Sequence, residues 1–321
     1  MGNKKVCLEA GVLKRYVGDV HPVLPEEVHT IGNKAFRRAE VESCTCRAAE
    51  LRIGASAFAR SGVQSLRLLG RECDIEGKAF ETCEALETVV FSGQKLKIGG
   101  SAFRGCKALT DIRFAEKAQM IGSYAFDSCT ALTQAALGPE LDVLPEGLFA
   151  NCEGLRSVSL ARAYPCFPDW FFSGCRALTD IPWTAGIQDI GYAAFQNCWS
   201  LEEINLPDTL RQAGELCFSG CKHLRRVKWN PLCARIPAGA FLFCEELEEI
   251  HIPEGVEAIG EYAFWACKGL THLRLPDSLR EIGRQAFAGC GGCTLEIGPN
   301  TARGSWETDV KDVVCRRNTA S

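Results

Sequence analysis

Residues 240–267 read AFLFCEELEEIHIPEGVEAIGEYAFWAC. The segment closes on its own beginning, because Ala240-Phe241 and Cys244 return as Ala263-Phe264 and Cys267. Between them apolar residues stand at Leu247, Ile250, Ile252, Val256 and Ile259. The same Phe recurs at Phe36, Phe58, Phe80, Phe103, Phe126, Phe149, Phe172, Phe195, Phe218, Phe241, Phe264 and Phe287, first in two steps of 22 residues and then in steps of 23. A fixed period in the twenties, with apolar residues fixed inside it, is the sequence mark of a repeat solenoid. Each coil packs only on its neighbours, so the chain grows without needing a larger central core.

Positions are counted from the repeat Phe. Apolar residues at +6, +9 and +11 (Leu201, Ile204 and Leu206; Leu270, Leu273 and Leu275) predict a short strand whose +8 and +10 residues face outward. Pro207, Pro253 and Pro276 follow their strands directly, as suits a strand end. An apolar residue at −8 and Ile-Gly at −5 and −4 (Ile190-Gly191, Ile259-Gly260, Ile282-Gly283) predict a second short extended piece and a glycine turn. The Ala-Phe-x-x-Cys segment is too short for a regular helix and predicts one 3₁₀ or α turn.

The pattern weakens at both ends and once between them. Residues 1–30 read as an N-terminal cap in which Gly11–Tyr16 alternates as a strand does, since an open solenoid end needs a modified unit. Residues 31–297 are the array. Within it, residues 161–172 replace Ile-Gly by Phe167-Pro168 and add Trp170 and Phe171, giving a bulkier coil. Beyond Leu295-Glu296-Ile297 the repeat dies, and residues 298–321, with Trp306, Val310, Val313 and Val314, are expected to form a loose C-terminal cap or to fray.

The unit Leu-x-x-Ile-x-Leu-Pro-x-x-Leu-x-x-Ile-Gly-x-x-Ala-Phe-x-x-Cys resembles the BspA-type leucine-rich repeat over roughly residues 11–298, and Gly11-Val-Leu-Lys-Arg-Tyr16 resembles the usual start of that family. The resemblance implies a leucine-rich-repeat horseshoe of about 12 coils, built of short parallel β-strands with 3₁₀ or short helical turns. It also implies a bacterial surface role in adhesion, and it carries no catalytic residues. The N-terminus (Met1 to Ala10) has a basic start without an apolar stretch behind it, so no secretory signal is expected there. Gly2, Lys4 and Lys5 approach a myristoylation pattern, but Val6 stands where Ser or Thr is needed.

Composition excludes several classes. A net charge of −4 argues against nucleic acid, whose binders carry a basic stripe. No run of 18 apolar residues exists to form a membrane helix. Nineteen cysteines suggest a disulfide framework, yet ten of them, from Cys83 to Cys290, stand three residues after a repeat Phe. One small hydrophobe per coil at one angular position is a packing choice, so these thiols are expected to be reduced and inward-facing. Cys44 and Cys46 flank one residue on a strand and read as packing too. Cys290-Gly-Gly-Cys293 has the spacing of half a zinc site, but no second half follows. His251 and His272 lie on outward slots of adjacent strands without thiol or carboxylate ligands to complete a metal site. No nucleophile elbow, paired-carboxylate pocket or phosphate loop occurs, so neither an enzyme nor a cofactor is expected.

What remains is surface. Glu202-Glu203, Arg225-Arg226 and Glu248-Glu249 fill the same +7 and +8 slots of three successive coils and are expected to pair laterally. With Lys228, His251 and Arg274 they form a charged strip that a protein partner would recognise. At +1, where Ala59, Glu81, Asp127, Ser173, Gln196 and Ser219 are small or polar, two adjacent coils carry Leu242 and Trp265. Phe243 occupies +2 and Tyr262 occupies −2. Leu242, Phe243, Tyr262 and Trp265 are therefore expected to make one apolar patch beside the turns, unless local geometry folds Phe243 and Trp265 inward as core. Outward aromatics, Tyr124 and Trp199 among them, favour a recognition module for a protein or glycan. The alternative is a passive spacer or assembly element.

Overall fold

The structure, a computed structural model, describes residues 7–290, 292–298, 301 and 310–315. Gly2, Lys4, Lys5, Val6, Gly291 and Trp306 lie outside the described residues. The chain is a β-solenoid of about 12 turns with almost no helix. It divides into two compact units, Met1–Arg162 and Ala163–Ser321.

In the N-terminal unit one column of in-register parallel strands holds Val23–Leu24, Ser43–Cys46, Ser65–Leu68 and Thr88–Phe91, at +7 to +10 in the two 22-residue coils and +8 to +11 after Phe80. A second column holds seven strands, from Cys7–Glu9 and Val12–Arg15 through Glu50–Ile53, Glu72–Ile75 and Lys95–Ile98 to Ala118–Ile121. Its first pair is antiparallel, a hairpin turning through Ala10 (φ 46°) and Gly11 (φ 73°). That hairpin covers the edge strand Val12–Arg15, which would otherwise expose unpaired backbone. In one coil the first-column strand is replaced by a 3₁₀ helix, Arg113–Lys117. Asp111 causes this: its carboxylate accepts the backbone N–H of Arg113 at 2.8 Å, a local turn that competes with a strand ladder. Phe114 then packs between the rings of Phe103 and Phe126.

In the C-terminal unit the first column comprises Glu203–Asn205, Arg226–Lys228 and Glu249–His251, then His272–Arg274, Thr294–Ile297 and Asp312–Cys315. The last of these runs parallel to Thr294–Ile297, with Val313 opposite Leu295. Second-column strands shrink here to two residues, such as Asp189–Ile190 and Ala258–Ile259. The proline at the strand end explains the difference. The carbonyls of Pro207, Pro253 and Pro276 accept N–H bonds from Leu210, Val256 and Leu279, so a β-turn consumes residues that the other unit leaves extended.

The Ala-Phe-x-x-Cys segments differ from expectation: they are stacked β-turns, not helical turns. In the coil of Phe58, the N–H groups of Ala57, Ala59 and Ser61 bond to the carbonyls of Gly54, Ser56 and Phe58. Those of Ser56, Phe58 and Arg60 bond instead to Gly77, Ala79 and Glu81 of the next coil. Alternate amides thus close turns and tie coils together. The geometry demands positive φ at −2 and +2, here 56° at Ser56 and 60° at Arg60, and two left-handed residues per coil forbid a helix.

The glycine of Ile-Gly is no turn glycine either. A Cβ on Gly260 would lie 2.5 Å from the backbone nitrogen of Ala238, so the residue permits the close approach of successive coils. Gly260→Ala is expected to destabilise by about 1–3 kcal/mol, as overpacking does. Gly292→Ala, which meets nothing within 4 Å, should stay within about 0.5 kcal/mol. Denaturant midpoints of the two variants check this, and equal values would refute the close-approach account.

The core is a double column. In the N-terminal unit the rings of Tyr16, Phe36, Phe58, Phe80, Phe103, Phe126 and Phe149 stack at centroid separations of 4.4 to 6.1 Å. In the C-terminal unit Phe172, Phe195, Phe218, Phe241, Phe264 and Phe287 stack at 5.4 to 5.8 Å. Beside them run the cysteines. The +3 thiols of Cys83, Cys106, Cys129, Cys152, Cys198, Cys221, Cys244, Cys267 and Cys290 each donate to the carbonyl of the Phe in the coil before at 3.0 to 3.4 Å. A small hydrophobe with a weak donor fills this slot well. None of the nineteen cysteines forms a disulfide in this structure, and the Sγ atoms of Cys44 and Cys46 lie 3.9 Å apart within the core. The bulky coil packs Phe167, Phe171 and Phe172 fully inside, with Phe171 and Phe172 edge to face at 4.6 Å.

Candidate recognition surface

Two outward surfaces of the C-terminal unit hold the residues singled out in the sequence. The first is the stack of turns. Phe243 sits at +2, where the backbone needs positive φ, and its own φ is 60°. A non-glycine residue there costs on the order of 1–3 kcal/mol. Burial does not recover that cost, because Phe243 is 42% exposed. Its amide donates to the carbonyl of Trp265 at 2.9 Å, which places the two side chains on adjacent coils side by side. The rings meet edge to face, centroids 4.7 Å apart at 87°. Phe243 and Trp265 are therefore a surface pair and not extra core. Leu242 and Tyr262 are half-buried on the same turns, and the Tyr262 carbonyl accepts the Trp265 amide at 3.1 Å.

The sequence did not reveal how far the apolar surface extends. Leu216, at −2 with φ 58°, leans over Gly239, the −2 residue of the next coil, into the space a Cβ would need. The Leu242 Cβ is 3.8 Å from that same point, so Leu216 and Leu242 converge above Gly239. Further along the turns Trp170 and Tyr192 pack edge to face at 5.3 Å, with Tyr192 exposed. A usable signal existed: a bulky −2 residue followed by glycine at −2 of the next coil. Tyr124 with Gly147 repeats it in the N-terminal unit, where the Tyr124 hydroxyl donates to Glu146 at 2.7 Å.

Between turns and strands lies the +4 column. Here Trp199 is not an open aromatic; Arg176 covers one side at 4.3 Å and Lys222 lies 4.5 Å from the ring. The indole stands where other coils use ion pairs, such as Glu245 with Lys268 at 2.8 Å. A ring quadrupole between two cations is attractive to both.

The second surface is the strand face. Arg226 pairs with Glu203 at 3.1 Å, so one lateral pair forms in the expected slots. Arg225 turns away to Glu246 at 3.1 Å, which also accepts His223 at 2.8 Å. His223 and Arg225 together hold the Glu246 carboxyl below its ordinary pKa. Among the described residues Glu249 has no ion-pair partner, nor do Lys228, His251 and Arg274. The patch and the strip are thus separate surfaces, one on the turns and one on the strands. Among the described residues no group of three or more His, Cys, Asp or Glu side chains is placed to hold a metal ion. No helix there is long and apolar enough to cross a membrane.

Coils of one short parallel strand, a proline or extended return and a stack of β-turns define a leucine-rich-repeat solenoid of the nearly helix-free kind. The chain belongs to the BspA type leucine-rich repeat region family, whose profile matches residues 21–94, 73–198 and 166–294. That family describes a repeat region. Among solved structures, a leucine-rich repeat protein from Bacteroides ovatus is similar at 22% identity and TM-score 0.71, over 98% of each chain. A leucine rich cell surface protein from Faecalibacterium prausnitzii is similar at 20% identity and TM-score 0.61, over 100% of this chain and 95% of that one. The pneumococcal vaccine antigen PcpA matches at 17% identity and TM-score 0.50, over 98% of this chain and 74% of that one. At such identities the likeness is one of fold. Comparison with curated proteins gave no match.

Proposed function

We propose that this chain is a recognition scaffold that holds a protein partner against the turns of its C-terminal unit, in an adhesive role at a cell surface. The observation that carries the reading is Phe243: a bulky side chain kept in a strained backbone conformation, exposed, and braced by Trp265. Positive φ at +2 is common to every coil, but at Phe243 that position carries a large apolar side chain left exposed beside Trp265, and a contiguous exposed apolar pair marks an interface. Trp and Tyr are also the residues most enriched among interface hot spots. The repeat family and the leucine rich cell surface protein of similar fold support the scaffold and the setting.

The test is Phe243→Ser combined with Trp265→Ser. Purified wild-type and variant chains are offered surface, matrix and cytosolic extracts, and captured proteins are compared by mass spectrometry. The variant is expected to lose a protein that wild type retains, or to lose self-association, with a melting temperature within about 2 °C of wild type. A fall of about 8 °C or more would make the pair core. Unchanged capture at unchanged stability would favour the passive spacer.

A further inference from the structure

The strand face of the C-terminal unit carries charges that its own neighbours leave unneutralised. Asn205, Lys228 and His251 are in register on three parallel strands. Arg274 follows at the same offset one coil later, in register with Glu296. Rungs of a sheet lie about 4.8 Å apart, so Lys228 and Arg274 stand about 10 Å apart with His251 between them. All three side chains are exposed. Around them charges pair off: Arg226 with Glu203 at 3.1 Å and His272 with Glu296 at 3.5 Å. At Lys228 and His251 the face dips into a shallow depression of about 270 Å³, lined also by Asn205 of the same column and by Glu203, Arg226 and Glu249.

We infer that Lys228, His251 and Arg274 form a docking row for an acidic segment of a protein partner. Charge complementarity selects the occupant. Two fixed cations flanking a histidine, none of them held by an internal ion pair, attract carboxylates arriving at that spacing. A uniformly anionic chain, nucleic acid or sulfated glycan, would also meet Glu249 beside the row and Glu296 at its end. Both carry the same sign and repel it. A peptide can set carboxylates against the row and a neutral or basic side chain against Glu249. The row lies on the strands, apart from Phe243 and Trp265 on the turns, so it stands whether or not those aromatics bind.

The experiment is fluorescence anisotropy with the full chain at low salt, using a labelled oligo-glutamate peptide and a labelled sulfated oligosaccharide. Wild type is expected to bind the peptide, more weakly as salt screens the charges. Lys228→Glu with Arg274→Glu should weaken it about tenfold or more, while Lys97→Glu, an exposed reversal in the other unit, should stay within about twofold. The three substitutions in these two variants alter exposed side chains, and thermal melts matching wild type confirm that binding alone has changed. Absence of peptide binding by wild type would overturn the inference. So would equal loss in Lys97→Glu, or binding of the oligosaccharide in preference to the peptide.

Discussion

Phe195→Ala is expected to lower the stability of the chain by about 3–5 kcal/mol, the range for deleting a buried aromatic. The ring is fully buried and touches four others. It stacks on Phe172 and Phe218, each at 5.5 Å, meets Phe167 edge to face at 5.3 Å and leans on Trp183 at 6.1 Å. The stacked neighbours cannot close the hole, because backbone bonds tie them to the next coil, as the amide of Phe218 donates to Ala240. The amide of Phe195 donates to Cys217, and that of Phe172 to Ala194. Phe36→Ala should cost less. Among the described residues its ring stacks on Tyr16 and Phe58, and the half-buried Tyr16 ends the column, so fewer buried rings surround the space left behind. Denaturant midpoints measure both. Equal losses would contradict an array in which each coil depends on its neighbours.

The Phe and Cys columns were legible because a solenoid repeats its core at a fixed sequence interval. Leu201, Ile204 and Leu206 are buried and Glu203 and Asn205 exposed, as strand alternation requires. The turns were misread for a physical reason. Ala-Phe-x-x-Cys has helical spacing, and positive φ leaves no mark when residues such as Lys34 and Arg38 adopt it. The signal lay across coils: Gly105, Gly174, Gly220 and Gly289 recur at +2 without filling it. Ile-Gly was read as a turn because glycine is conformationally free, whereas what it supplies is the absence of a Cβ against the coil before.

Side-chain reach limited the rest. The slot of Arg226 faces that of Glu203 and they pair, but Arg225 is long enough to prefer Glu246, two slots away on the next coil. Period fixes where a Cα stands and not which rotamer a charged side chain takes. For the same reason Trp199 read as an open aromatic, although Arg176 and Lys222 lie against it. Phe243 and Trp265 came out together because adjacency between coils is a backbone property.

Raising the pH through the thiol range is expected to unfold the chain cooperatively. Burial pushes the Cys83 thiol up to about 11 and Cys221 to about 12, from 9.0 in an ordinary thiol. Burial likewise holds Cys106, Cys129, Cys152, Cys198, Cys244 and Cys267 well above that value. An unfolded chain therefore releases these protons from about pH 9, while the folded chain keeps them, each donated to a Phe carbonyl. Stability is whole below that pH and falls as pH rises towards the folded values. Each thiol contributes about 1.4 kcal/mol per pH unit across that window. One unit above the ordinary range, these eight together remove on the order of 10 kcal/mol, comparable to the whole stability of a folded protein. Circular dichroism against pH in reducing buffer should show a steep loss of β-structure between about pH 9 and 11. At pH 8, iodoacetamide should label exposed Cys7 and Cys315 promptly and the ladder thiols only once denaturant opens the coils. Folded structure persisting above about pH 11 would refute the account. Native mass spectrometry showing pairs of lost hydrogens would do so as well, because disulfides have no protons to release.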